Sequence, residues 1–82
     1  MREVIQVDEF HVRGRKAVEK IKSVIQSGEA SEILVEGQKG EVFKIPTNYN
    51  FLKPTLSMVK GIMKEIKECK LIVTQRQMSL FS

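Results

Sequence analysis

Three groups of residues in this 82-residue chain carry side chains that could do chemistry. Asp8, Glu9 and His11 form the first. One histidine with two carboxylates is a metal-ligand set in type, but neighbours on a strand point to opposite faces and no second cluster completes a site. The second group is basic. Arg13, Arg15, Lys16, Lys20 and Lys22 gather around the start of one helical pattern, and Lys60, Lys64, Lys67 and Lys70 recur at spacings of three and four along another. Such residues can neutralise phosphates, or simply solvate a helix face, where Glu19, Glu65 and Glu68 relieve them. The third group closes the sequence. Gln77, Met78, Ser79, Leu80 and Phe81 combine a two-way hydrogen-bonding amide with adjacent large apolar side chains, which is the chemistry of docking rather than catalysis. Cys69 stands alone and reads as an inert core thiol. No nucleophile stands beside a base, so the expectation is a non-enzyme with no cofactor and no metal.

Composition fits this reading. A net charge of +4 and a pI near 9.4 suit an anionic partner. A hydrophobic content of 41% with 29% charged residues belongs to one small globular domain. A single cysteine implies a fold without disulfides and a cytoplasmic setting. The first residues lack the apolar core of a signal peptide, and no apolar run approaches the ~18 residues of a membrane span.

The elements that position these groups follow from periodicity. Glu3 to Val12 is rich in β-branched residues and reads as a strand, bulged or broken near Asp8-Glu9. Gly14 to Ser27 places Ala17, Val18, Ile21, Val24 and Ile25 on one helical stripe, with Gly28 just past its end. Glu32 to Glu36 and Glu41 to Ile45 read as strands of a hairpin around Gly37-Gln38-Lys39-Gly40, and Pro46 ends the second. Thr47 to Phe51 is a loop, in which Tyr49 and Phe51 are expected to anchor against the core rather than stack on bases. A second helix runs from about Lys53 or Pro54 to Glu68, with Leu56, Val59, Ile62, Met63, Ile66 and Cys69 as its apolar stripe. Gly61 weakens it by about 1 kcal/mol and offers room for close packing. Leu71 to Gln75 is the last strand.

The order βαββαβ predicts an α+β fold: a four-stranded antiparallel sheet with both helices on one face, ferredoxin-like or a similar two-layer sandwich. Strand order stays open. Residues 1–76 form the domain and 77–82 a tail.

Two short patterns resemble nucleic-acid motifs weakly. Gly37 and Gly40 have the spacing of the KH-domain loop, but they join strands rather than helices, so a hairpin turn explains them better. Lys39, Gly40 and Phe43 resemble the RNA-recognition strand signature, which Glu41 and Lys44 break. The tail is more specific. Gln77-Met78-Ser79-Leu80-Phe81 resembles the motif with which bacterial proteins dock on the DNA polymerase sliding clamp. The eukaryotic and archaeal version fits worse, because it needs an aromatic pair beyond Ser82. The resemblance implies that Leu80 and Phe81 fill a hydrophobic pocket, that Gln77 is read at its mouth, that Met78 lies on an apolar shelf and that Ser79 is a spacer. It implies a DNA replication or repair accessory, or a phage or mobile-element factor competing with the polymerase. The competing expectations are that Met78, Leu80 and Phe81 simply extend the last strand, or that the tail is unstructured and has no role. A different class of function is a nucleic-acid-binding domain acting through Arg13, Arg15, Lys16, Lys20, Lys60, Lys64 and Lys67. A third is a homo-oligomerising module joined through an open sheet edge or face.

Overall fold

A computed structural model describes the backbone of residues 2–79 and the side chains of residues 5–75. The elements are β1 (Arg2–Arg13), α1 (Arg15–Ser27), β2 (Ala30–Gly37), β3 (Val42–Ile45), a 3-10 turn (Tyr49–Phe51), α2 (Leu52–Ile66) and β4 (Glu68–Ser79). The order is the expected βαββαβ, and the sheet has four strands, all antiparallel.

Local sequence explains the boundaries. Gly14 ends β1 with φ 52° and ψ −128°, a conformation that side chains resist, and its N–H donates to the carbonyl of Lys67 at 3.0 Å. Gly28 closes α1 in the left-handed conformation, its N–H donating to the Ile25 carbonyl. The second helix begins slightly earlier than its proline suggests. Asn48 Oδ1 accepts the N–H of Asn50 at 2.9 Å and fixes the 3-10 turn that feeds α2. It also ends earlier, at Ile66, because Lys67 turns at φ 56° while its N–H still reaches the Met63 carbonyl. Glu68 and Cys69 therefore belong to β4, and Cys69 is a buried strand residue rather than part of the helical stripe.

The strand order is β1-β4-β2-β3. Each helix connects two strands that run parallel with a third between them: β4 lies between β1 and β2, and β2 between β3 and β4. The two split βαβ units are those of the ferredoxin-like plan, but β4 and β2 hold the centre here. Pairing of β1 with β4 is continuous from Arg2↔Ser79 to Arg13↔Glu68, so β1 has no break at Asp8-Glu9; the irregularity falls in β2, between Ala30 and Glu32.

Register assigns the faces. Ile33 and Val35 of β2, Cys69, Leu71 and Val73 of β4 and Ile45 of β3 share the inner face. They pack with Ala17, Ile21, Val24 and Ile25 of α1 and Val59 and Met63 of α2 into a single core. The outer face carries half-buried Leu34 and Ile72 and exposed Ile5, Val7 and Val42. No described helix is long and apolar enough to cross a membrane.

Candidate functional site

β4 outruns its central partner. Pairing with β2 stops at Ala30↔Gln75, whereas β1 follows β4 to Ser79. Arg76 to Ser79 thus pair only with Arg2 to Ile5, and the two strands form a ribbon at the end of the sheet. At about 3.3–3.4 Å per residue a twelve-residue strand spans about 40 Å, close to the longest dimension of the molecule, 44 Å. Gln77, Met78 and Ser79 have strand backbone in this ribbon, so the sheet continues three residues into the 77–82 segment. Leu80 and Phe81 lie outside the described residues.

The basic residues divide into two sets. Arg15, Lys60 and Lys64 come together: with Gly14, Val18 and Met63 they line one groove of about 330 Å³ between the start of α1 and the end of α2. The topology makes α1 and α2 antiparallel, and the Gly14–Lys67 hydrogen bond ties these ends together. None of the three cations has an ion-pair partner among the described residues.

The other cations go elsewhere. Arg13 lies on the outer sheet face in an ion pair with Glu68, its cross-strand partner. Lys20 sits 4.1 Å above the Phe10 ring centroid, a cation–π contact on the β1 side of α1. Lys16 is exposed, two positions before Val18 and so away from the groove. Lys67 lines a separate depression with Glu41, Glu65 and Glu68. Lys70 is on β4 and pairs with Glu9 at 3.4 Å. Of the seven expected nucleic-acid contacts, Arg15, Lys60 and Lys64 line this groove and Arg13, Lys16, Lys20 and Lys67 do not.

Several smaller expectations also resolve. Tyr49 and Phe51 do not anchor the loop: they are 59% and 57% exposed, while Leu52 turns inward in their place. Phe43 packs against the core, so it is not on the open sheet face. Gly37 to Gly40 is a hairpin turn, with the Gly37 N–H donating to the Glu41 carbonyl at 2.7 Å. The described residues hold no cluster of three or more potential metal ligands. His11 instead lines an outer-face depression of about 390 Å³ with Arg13, Glu36, Gln38, Glu68 and Lys70. Its charges engage one another: the Gln38 amide donates to Glu68 Oε2 at 2.6 Å, beside the Arg13–Glu68 pair. Burial pushes the Cys69 thiol above its ordinary pKa, so it remains a protonated core group.

Lys53, an exposed residue of α2, does not line the groove itself. It precedes Lys60 by two helical turns, and this i, i+7 spacing is the signal that places both on one side of α2. No family model, curated protein or solved structure matches this chain.

Proposed function

We propose that this chain docks on the bacterial DNA polymerase sliding clamp through Gln77, Met78, Ser79, Leu80 and Phe81, as a replication or repair accessory or as a phage or mobile-element competitor of the polymerase. The observation that carries this reading is the pentapeptide itself, a Gln-Met-Ser-Leu-Phe sequence that fits the clamp-docking pattern at every position. The ribbon adds physical support. Its last four pairs lie beyond the β2 pairing, so peeling Arg76 to Ser79 from β1 opens the end of the sheet and leaves the β4–β2 ladder intact. An extended segment is also the form in which a peptide offers alternate side chains to a groove.

The energetics are modest. Burying Leu80 and Phe81 contributes roughly 1.5–3 kcal/mol each. That is a large share of the roughly −8 kcal/mol of a micromolar complex. Equivalent grooves on a clamp ring would act through effective concentration if more than one copy of the segment were presented.

Clamp-dependent primer extension tests the proposal and separates its two forms. A competitor inhibits extension, and Leu80→Ala/Phe81→Ala relieves the inhibition. A recruited accessory binds the clamp without inhibiting, and the same double variant abolishes that binding. Clamp binding that is absent, or indifferent to the double variant, refutes both.

A further inference from the structure

We propose that the groove between α1 and α2 binds single-stranded nucleic acid, with phosphates on its basic walls and bases against its apolar floor. Arg15 stands on one wall, and Lys60 and Lys64 on the other. Both walls extend in sequence. Lys22 follows Arg15 by two turns with Val18 between them, and Lys53 precedes Lys60 by two turns. Lys22 and Lys53 are exposed. From Lys53 to Lys64 the row covers about 16 Å of helix at 1.5 Å per residue. Three cations line the cleft and two more, Lys22 and Lys53, continue its rims by helical spacing; none of the five is in an ion pair among the described residues, in a chain that carries net charge +4. Phosphodiester backbones complement such a surface.

The floor selects the type of strand. Val18 and Met63 give the groove an apolar bottom between charged rims. A duplex presents phosphate and sugar and keeps its bases stacked inside, so it has nothing to place there. A single strand has free base faces. Tyr49 and Phe51, exposed just before the start of α2 where the lysine row begins, add aromatic surface for stacking beyond the groove itself, the usual partner of a basic track in single-strand binding. This site is independent of residues 77–81.

Fluorescence anisotropy with a labelled fifteen-residue oligothymidylate tests the proposal on the full chain. Binding should weaken with salt at a log–log slope of about −2 to −3.5, as expected for roughly three to five neutralised phosphates on a single strand. Lys60→Glu/Lys64→Glu should lower affinity at least tenfold at low salt. Arg15→Glu, on the opposite wall, should lower it as well, and gives a second reading if the double variant is poorly folded. Lys16→Glu/Lys39→Glu changes the net charge equally but lies outside the groove, and should change affinity less than twofold. Leu80→Ala/Phe81→Ala should leave it unchanged, which keeps this test separate from clamp docking. No binding at low salt, equal losses in groove and control variants, or a duplex of the same length that binds as tightly would overturn the proposal.

Discussion

Gly14 and Gly61 should respond to alanine in opposite directions. A Cβ placed at either residue meets nothing within 4 Å, so steric crowding does not separate them. Backbone conformation does. Gly14 holds φ 52° and ψ −128°, where a side chain costs about 1–3 kcal/mol. Alanine keeps the N–H, so the hydrogen bond to the Lys67 carbonyl is not removed chemically; it must be made in a strained conformation. Gly61 lies inside α2 and is exposed, and there alanine gains about 1 kcal/mol. The two variants should therefore differ by about 2–4 kcal/mol. At roughly 4–8 °C per kcal/mol for a domain of this size, Gly14→Ala should lower Tm by about 4–24 °C and Gly61→Ala should raise it by several degrees. Urea and thermal unfolding followed by circular dichroism measure both. Equal effects, or a neutral Gly14→Ala, would show that the β1–α1 turn does not impose this conformation.

Lys67 turns at φ 56° and ψ −52°, near the γ-turn region that side chains avoid. Lys67→Gly should gain about 1 kcal/mol in urea unfolding, the relieved strain less the extra freedom of glycine in the unfolded chain. Ile33→Ala, fully buried on the inner face, should cost about 2–5 kcal/mol, whereas Ile5→Ala, 59% exposed, should cost no more than about 0.5–1 kcal/mol. Similar costs in denaturant titrations would refute the assigned register. Burial raises the Cys69 pKa above its ordinary 9.0, so at alkaline pH the unfolded chain loses a proton that the folded chain keeps, and stability falls as pH rises from about 9. The stability difference between wild type and Cys69→Ala should shrink over that range, and a constant difference would contradict the assignment.

Much of the fold was legible because its signals are periodic. The stripe through Ala17, Ile21, Val24 and Ile25 and the alternation around Ile33 and Val35 need only local sequence. Strand order depends on which residues pair across the chain, and nothing local tells β1 that its neighbour is β4. The end of α2 is hidden in the sequence because Glu68 and Cys69 continue a helical pattern through Lys67, a residue whose positive φ breaks it. Charge was harder to read than hydrophobicity. Arg13, Lys20 and Lys70 look equivalent to Lys60 and Lys64 in sequence, yet Glu68, the Phe10 ring and Glu9 engage them from other strands. Tyr49 and Phe51 suit the core by residue type, but Leu52 occupies that role and leaves both aromatics exposed.

Calorimetric titration of a bacterial sliding clamp with the full chain tests the central claim most directly. The expected result is micromolar binding by the wild type and a loss of at least tenfold, about 1.4 kcal/mol or more, on Leu80→Ala/Phe81→Ala with the folded domain intact. Failure of the wild type to bind, or equal affinity in the double variant, would contradict docking through Gln77 to Phe81.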